Sequence, residues 1–413
     1  MSKRTTSPAR APRVLPIEVD AGGRSLLGMS PQAFLRDYWQ KRPLLVRNAF
    51  PGFVSPIEPG DLAGLACEEA ALSRLIQHDR ARDGWSVRSG PFEEAEFPAM
   101  PDHDWTLLVQ DVDKWDPDIA ALLEAFDFLP RWRIDDIMVS FAAPGGSVGA
   151  HVDQYDVFLL QAHGHRRWQI DASPNPPLAF RDDVDLKLLR RFSASHDWVL
   201  APGDMLYLPP GVPHNGVAED ACLTFSVGMR APSAAELIGD YLDTLVADAD
   251  EGIRYQDRDL TVPADPFEID AAAMGRVVEA LNALRMNDPD RLGEWFGRFI
   301  TTYRSAGTAA VPEHAPDRAE VEAALAQGAV LQRHPMTRIA WRRARKGAVL
   351  FASGQALPMP LRDARLLAAA EVLDQAAYQT LGEAGRAATS VLVSSGHYLL
   401  PGSDEDDHDF DTD

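Results

Sequence analysis

Residues 134–170 decide the fold, and they read IDDIMVSFAAPGGSVGAHVDQYDVFLLQAHGHRRWQI. Short β-type runs fill this stretch and the residues that follow it up to 230, separated by turns that contain glycine and proline. These runs lie at 137–141, 157–161, 167–170, 198–200, 205–208 and 223–227. Many short strands at this spacing are typical of a β-barrel or a jelly-roll sandwich.

A candidate metal site begins inside this stretch, where His151 and Asp153 are two residues apart. Side chains at that spacing on a strand point to the same face. A second histidine, His214, follows the turn sequence LPPGVP and stands where a new strand would start. Together the three residues would form a 2-His-1-carboxylate facial triad, which suits non-haem Fe(II) working on dioxygen. The same donor set also binds Zn²⁺, so zinc stays open on these residues alone.

An arginine near the triad indicates what else the barrel binds. If Trp168 packs inward, the period of two also turns Arg166 inward and Arg167 outward. A guanidinium inside a barrel is costly unless it is paired, so Arg166 predicts an anionic ligand. Arginine binds a carboxylate through two parallel hydrogen bonds, which favours a dicarboxylate co-substrate such as 2-oxoglutarate over simple zinc hydrolysis. Ser140, on the preceding predicted strand, could donate a further hydrogen bond to that carboxylate.

Composition limits the class of protein. The 413 residues suffice for two to three domains, and no run approaches the roughly 18 apolar residues of a membrane helix. The two cysteines, Cys67 and Cys222, are far apart, which argues against a disulfide framework and favours the cytoplasm. A net charge of −22 is compatible with a basic protein substrate and makes nucleic acid a poor direct partner, so no direct nucleic-acid binding is required.

Changes of pattern divide the chain into segments. Residues 1–30 read as a disordered leader, and the strand-rich part occupies 31–232, with an early helix at 31–39 and further strands at 44–46 and 105–110. A helical region at 233–311 opens with the capping box Ser233/Glu236, and its apolar stripes either pack on the barrel or form a dimer interface. Residues 403–413 hold seven carboxylates and no Lys or Arg, as in a solvated tail.

The sequence pattern of residues 312–402 predicts a small α+β module that resembles a winged helix. A capping pair, Asp317/Glu320, precedes a short helix that ends at Gly328, and β-type runs and helices alternate afterwards. The β-type runs lie at 329–332, 338–341 and 348–352, and the helices at 362–373 and 386–393. Six positive charges without an intervening acid favour a solvated or scaffold face, with contact to RNA or an acidic partner as the alternative. They are Arg333, Arg338, Arg342, Arg343, Arg345 and Lys346.

The long stretch at 134–170 closely resembles the bacterial JmjC-type ribosomal oxygenases, as do PGDMLYLPPGVPHNG at 202–216 and FSVGMRAP at 225–232. The early FLRDYWQKRPLLVRNAFPG, residues 34–52, is similar to theirs as well. The resemblance covers nearly the whole chain. It implies an α+β protein with a double-stranded β-helix (JmjC, cupin-type) barrel, a helical dimerisation region and a C-terminal winged helix.

The resemblance also implies an activity. The protein would be a 2-oxoglutarate- and Fe(II)-dependent hydroxylase that acts on an arginine of a basic large-subunit ribosomal protein. It would work as a cytoplasmic homodimer. Carried over residue by residue, the iron ligands are His151, Asp153 and His214, and the 2-oxoglutarate residues are Arg166 and Ser140. Some relatives have arginine where this chain has His165, which we expect to be peripheral. A histidine hydroxylase, a demethylase of another basic protein and a non-catalytic ribosome-associated scaffold remain the alternatives.

Overall fold

The computed structural model describes residues 15–23, 25–249, 252, 254–262, 267–282, 288–303, 307, 309–312 and 315–400. The chain divides into two compact units, Met1–Ala231 and Pro232–Asp413. The first fourteen residues of the predicted leader and the acidic tail at 403–413 lie outside the described residues. Within the described part of the chain, no helix is both long enough and apolar enough to span a membrane.

The first unit is built mainly of strands. They are β1 Glu18–Asp20, β2 Leu44–Arg47, β3 Ser73–Asp79, β4 Gly84–Ser89, β5 Trp105–Val109, β6 Ile134–Ala142, β7 Val157–His163, β8 Arg166–Ile170, β9 His196–Leu200, β10 Met205–Leu208, β11 His214–Ala218 and β12 Cys222–Met229. One sheet has nine strands in the order β1-β2-β10-β7-β12-β6-β5-β3-β4, and a second has three in the order β11-β8-β9. These two sheets form the predicted double-stranded β-helix barrel.

Side chains alternate between the two faces of these strands, so one face of the large sheet packs in the hydrophobic core and the other faces the inside of the barrel. Ile137 and Val139 of β6 are fully buried in the largest apolar cluster, so Asp136, Met138 and Ser140 occupy the opposite face. On the paired strand β12, Phe225 and Val227 join the same cluster. One face of the large sheet is therefore the hydrophobic core, and the other carries polar side chains into the barrel.

Helices of the first unit are short. They are α1 Pro31–Asp37, α2 Pro59–Leu65 and α3 Pro117–Ala121, with 3-10 turns at Glu94–Ala99, Val112–Lys114, Leu122–Phe126 and Arg131–Arg133. α1 matches the predicted early helix: Ser30 caps it, and Phe34 is buried against Tyr207 with ring centroids 4.9 Å apart. The helix therefore anchors the start of the chain to β10.

The prediction of a disordered leader at 1–30 is wrong for its described residues, 15–23 and 25–30. β1 pairs in parallel with β2, and the Tyr38 hydroxyl donates a hydrogen bond of 2.8 Å to the Pro16 carbonyl. Ala21 and Leu27 are buried. A three-residue strand is too short to show a period of two, and its stability comes from pairing with β2, so no local pattern predicts it.

The second unit contains helices and two small sheets. The helices are α4 Ala234–Ala247, α5 Ala271–Asn282, α6 Pro289–Thr302, α7 Arg318–Ala326, α8 Leu361–Ala369, α9 Gln375–Thr380 and α10 Glu383–Ser394. The strands are β13 Leu331–Arg333, β14 Ile339–Arg343, β15 Ala348–Ala352, β16 Gln355–Met359, β17 Val372–Leu373 and β18 Tyr398–Leu399. The sheets have the orders β17-β13-β18 and β14-β15-β16. Both predicted capping boxes, at Ser233/Glu236 and Asp317/Glu320, are formed.

One helix prediction in this unit is too long. Residues 362–373 were expected to form a single helix, whereas α8 ends at Ala369 and Val372–Leu373 is a strand. Leu373 is fully buried and pairs with Leu331 of β13. The alanine-rich sequence favours a helix locally, but pairing of these two leucines in the core overrides that preference.

Candidate active site

The three predicted ligands come from two segments that the backbone ties together. His151 and His214 form an antiparallel bridge, in which each backbone N–H donates to the other's carbonyl over 3.0 Å. Asp153 lies two residues beyond His151, and its carbonyl accepts a hydrogen bond of 2.8 Å from the Gly211 N–H in the turn before His214. Backbone pairing therefore holds all three residues in register.

The ligand atoms of this triad converge. Oδ2 of Asp153 lies 3.9 Å from Nε2 of His151 and 3.6 Å from Nε2 of His214. Nδ1 of His151 lies 2.9 Å from the Gly149 carbonyl, and Nδ1 of His214 lies 2.9 Å from the Val212 carbonyl. A carbonyl only accepts, so each Nδ1 carries the proton and each Nε2 presents a lone pair to the centre. The set can hold one metal ion, since its ligand atoms lie within 4.8 Å of one another.

Electrostatics keep the more buried histidine ready for a cation. Burial, and then the neighbouring His151, lower the pKa of His214, while the nearby Asp153 carboxylate opposes that change. A histidine with a lowered pKa is neutral at pH 7, and the neutral imidazole is the form that coordinates a metal. The site therefore needs little proton release from His214 when a metal binds.

Arg166 is the most unusual charged group of the barrel. Its residue is only 2% exposed, and neither Nε nor Nη1 has a hydrogen-bond partner in the structure. Nη2 donates a long hydrogen bond of 3.3 Å to the Gly216 carbonyl, and the guanidinium contacts the thiol of Cys222. Arg167, by contrast, points outward and pairs with Glu219 and Asp197, which confirms the predicted alternation. A buried guanidinium with two unsatisfied groups fits an anionic ligand.

Trp168 links this arginine to the triad. The Arg166 guanidinium lies 5.1 Å from the centre of the Trp168 ring, and that ring lies 5.9 Å from the His214 ring. Strand pairing matches Arg166 with Ala218, Trp168 with Gly216 and Ile170 with His214, so β8 and β11 present these side chains on one face. Arg166 and His214 of the predicted triad thus share one wall of the barrel.

Ser140 lies on the opposite wall. It is buried, and its hydroxyl donates a hydrogen bond of 3.4 Å to the Thr224 carbonyl. Ser140 pairs with Thr224 on β12, two residues from Cys222, which the Arg166 guanidinium contacts. The register therefore places Ser140 on the inward face near the end of the barrel where Arg166 lies.

The sequence analysis did not predict a further carboxyl group on this wall, that of Asp136. Asp136 stands four residues before Ser140 on the same face of β6, about 13 Å along the strand. Burial, followed by repulsion from Asp111 and Asp135, raises the pKa of the Asp136 carboxyl to about 7. Tyr155 lies near both Asp136 and the predicted ligand Asp153, and burial together with these carboxylates raises the pKa of its phenol. Only the folded chain brings these groups together, so their spacing along the chain does not predict the cluster.

Two other polar residues near the site have structural partners. Asp156 is completely buried and accepts hydrogen bonds from the Tyr207 hydroxyl at 2.6 Å and from Gln40 Nε2 at 2.9 Å. It therefore anchors the segment that carries Asp153 to β10 and to the end of α1. His165 is half exposed and pairs with Asp220, in keeping with the expected peripheral position.

Comparison with known families agrees with this arrangement. Residues 121–237 match the model of a JmjC domain, and residues 283–398 match the model of a ROXA-like winged helix. A β-helix barrel with a 2-His-1-carboxylate cluster and a matching JmjC domain defines the class of JmjC oxygenases.

Individual relatives show which family of JmjC oxygenases the chain resembles. The chain is 37% identical over 381 residues to the ribosomal protein uL16 3-hydroxylase of Escherichia coli K12, covering 89% of this chain and 97% of that protein. It is 43% identical over 242 residues to a probable ribosomal oxygenase of Haemophilus influenzae, covering 57% and 56% of the two chains. The chain therefore belongs to the ribosomal oxygenase family and is an oxygenase.

Solved structures support the same assignment. The X-ray structure of E. coli ycfD superposes with a TM-score of 0.82 at 36% identity, covering 91% of this chain and 99% of that one. The same E. coli ribosomal oxygenase in complex with cobalt and 2-oxoglutarate superposes with a TM-score of 0.79 over the same shares of the two chains. The resemblance seen in the sequence and the predicted fold are confirmed.

Proposed function

We propose that this chain hydroxylates an arginine side chain of the ribosomal protein uL16, with Fe(II) as the metal and 2-oxoglutarate and dioxygen as co-substrates. The observation that carries the proposal is Arg166, a buried guanidinium with two unsatisfied groups on the wall that also holds His214 of the triad. A metal site alone would fit a zinc hydrolase as well. The unsatisfied arginine supports a co-substrate with a carboxylate at its far end.

His151, Asp153 and His214 are the proposed iron ligands. Two neutral imidazoles and one carboxylate suit Fe(II) and leave coordination positions for other ligands. When bound there, iron with its co-substrates supplies the oxidising chemistry that places a hydroxyl group on an unactivated C–H bond. The protein contributes the fixed Nδ1–H tautomers, which aim both Nε2 atoms at one point.

Arg166 and Ser140 are the proposed anchors of 2-oxoglutarate. Nε and Nη1 of Arg166 can donate two parallel hydrogen bonds to the distal carboxylate, and the Ser140 hydroxyl can turn from the Thr224 carbonyl to donate a third. These anchors orient the co-substrate before the reaction and exclude water from its carboxylate. Arg166 and Ser140 would therefore contribute to catalysis by fixing the orientation of 2-oxoglutarate.

Asp136 is the proposed partner of the substrate's guanidinium. Its carboxyl is surrounded by other carboxylates, so a cation that enters the barrel would relieve the repulsion that raises its pKa. Asp136 lies on the same face as Ser140, and Tyr155 interacts electrostatically with both Asp136 and Asp153. An acidic group at this place favours arginine over a neutral histidine as the target.

The test is succinate formation from 2-oxoglutarate by purified protein with iron and recombinant uL16, followed by mass spectrometry of uL16. Hydroxylation adds about 16 Da to an unmodified arginine peptide, whereas demethylation removes about 14 Da from a methylated one. A gain on a histidine peptide would support histidine hydroxylation instead. No succinate in the presence of uL16 would support the scaffold alternative and overturn the proposal.

Two variants separate the proposed roles. Asp153→Ala should abolish turnover with little change in fold, because the residue is partly exposed and contributes a ligand. Arg166→Ala should weaken 2-oxoglutarate binding much more than metal binding, measured by calorimetric titration with Mn²⁺ in place of iron. Retained turnover in Asp153→Ala, or an unchanged affinity for 2-oxoglutarate in Arg166→Ala, would contradict the assignment.

We further propose a cytoplasmic homodimer that uses the helical region at 233–311, with the oxygenase barrel before it and the winged helix at 312–402 after it. Support comes from α5, which buries none of its twelve residues within the chain. Its apolar side chains at 274, 277, 278 and 281 recur at the spacing of one helix face. A second copy of the chain would cover that face.

A further inference from the structure

Residues 331–370 carry a charge opposite to that of the chain as a whole. They hold eight Arg or Lys residues and one acid, Asp363, in a protein whose net charge is −22. Asp363 is buried and accepts a hydrogen bond from the Gly382 N–H, so it contributes no negative charge to the surface. The described surface of this part of the second unit is therefore strongly basic.

Three of the eight cations stabilise the fold. Nη2 of Arg333 donates to carbonyls at the C-terminal end of α8, including Leu367 and Ala368. Arg338 is buried and donates to the Tyr303 carbonyl, and Arg342 pairs with Asp290 of α6. This confirms the scaffold interpretation for half of the six charges that the sequence singled out.

The remaining five cations are exposed. They are Arg343, Arg345, Lys346, Arg362 and Arg365. Arg343 ends β14, and the turn that joins it to β15 carries Arg345 and Lys346. The side chain of Arg345 is 88% exposed, and its one ion pair, to Asp290, is long at 3.8 Å. Such an ion pair on the surface contributes little to the free energy of unfolding, so Arg345 can bind another anion in place of Asp290.

An aromatic ring joins the two arginines of α8 to this hairpin. The Arg365 guanidinium lies 5.4 Å from the centre of the Trp341 ring, and Trp341 shares a face of β14 with Arg343, two residues away. Arg362 lies one turn before Arg365 on α8 and is therefore on the same side of that helix. We call these five cations and the half-buried Trp341 the basic face.

We propose that the basic face binds RNA phosphates. Four of its five cations are arginines, whose planar guanidinium matches a phosphate through two parallel hydrogen bonds. The partly exposed Trp341 ring adds a surface on which an unpaired base can stack. A basic ribosomal protein would be repelled by this face, whereas the anionic phosphates of RNA would be attracted to it. The inference goes beyond the proposed function, and it would bring the enzyme to RNA bound by its protein substrate.

The experiment is a fluorescence anisotropy titration of the full-length protein against a labelled RNA stem-loop at increasing KCl. If most of the five cations contact phosphates, the affinity should fall on the order of a hundredfold between 50 and 200 mM salt. Replacing Arg345 and Lys346 by Gln removes two charges from a hairpin turn outside the core, and should lower the slope of log K against log salt by about 1.5 to 2. Arg343→Gln with Arg365→Gln should have a similar effect.

The matched control is Arg36→Gln with Arg82→Gln, which removes two exposed charges from the other unit and should leave RNA binding unchanged. A labelled acidic peptide serves as the competing ligand. Tighter binding of that peptide than of RNA, or the same salt slope in wild type and both basic-face variants, would overturn the proposal. Turnover of uL16 is measured on the same variants and should persist, so failure of RNA binding is distinguishable from failure of the proposed hydroxylase activity.

Discussion

The carboxyl group of Asp136 shows how one residue can tie activity to pH. Its pKa is raised to about 7 by burial, then by Asp111 and Asp135. Below that pH the group is mostly neutral in the free enzyme, and a bound guanidinium favours its charged form. The raised pKa also means that the carboxyl's unfavourable contribution to folding grows as pH rises from its unfolded value near 4 toward 7.

We therefore predict that the KM for a uL16 fragment rises as pH falls below 7, approaching tenfold per pH unit, while kcat changes less. Asp136→Asn should have a high KM that does not vary in this window, and its stability should not decline between pH 5 and pH 7. The measurement is initial rate against fragment concentration at pH 6, 7 and 8. Asp118→Asn, at an exposed position of α3, should behave as wild type. A flat KM in the wild-type enzyme would contradict this role for Asp136.

At the scale of elements, β8 and β11 form the wall on which the co-substrate anchor depends. Gly216 of β11 pairs with Trp168, and a Cβ atom at this position would lie 2.7 Å from both Nε of Arg166 and the Trp168 ring. Both neighbours are buried, so neither can move away freely. The absence of a side chain at 216 is what allows the guanidinium to lie across the strand.

We predict that Gly216→Ala weakens 2-oxoglutarate binding by about ten- to a hundredfold, the equivalent of displaced hydrogen bonds to a charged group at roughly 1.5–3 kcal/mol. Metal affinity should change little, because the carbonyl contacts that orient His151 and His214 involve other residues. Calorimetric titration with Mn²⁺ measures the metal affinity, and a second titration with 2-oxoglutarate in the presence of Mn²⁺ measures the co-substrate affinity. Gly64→Ala, in α2 with open space around the added methyl group, is the control. Equal affinity for 2-oxoglutarate in Gly216→Ala and Gly64→Ala would show that Arg166 does not need the space left by the missing side chain at 216.

Element prediction from the sequence succeeded where the signal was local. The triad and the inward direction of Arg166 follow from the period of two on strands that begin at recognisable turns, and the structure brings these groups together. β1, β3 and β4 were missed, because β1 and β3 join the large sheet by pairing with β2 and β5, which are distant in the chain, and β4 joins it only through its hairpin with β3. The burial of Asp136 likewise depends on sheet packing, which no window of the sequence contains.

At the scale of the whole molecule, two helices of the second unit leave apolar side chains exposed. Exposed apolar side chains recur on α4 at 238, 242 and 246 and on α5 at 274, 277, 278 and 281. Both sets follow the three- and four-residue spacing of a single helix face. Isolated amphipathic helices of this length are marginal in water, so α5 gains its stability from whatever covers it.

We predict that Val278→Asp with Leu281→Asp converts a homodimer into a monomer, because two carboxylates would be buried without partners in the interface. Light scattering coupled to size exclusion over a range of concentrations measures the change. Glu279→Lys, on the opposite side of α5, alters charge without touching the apolar face and should leave the dimer intact. The barrel holds the proposed site within the first unit, so the monomeric variant should still bind 2-oxoglutarate and Mn²⁺. A wild-type protein that is monomeric at every concentration would contradict the prediction and require another cover for α5.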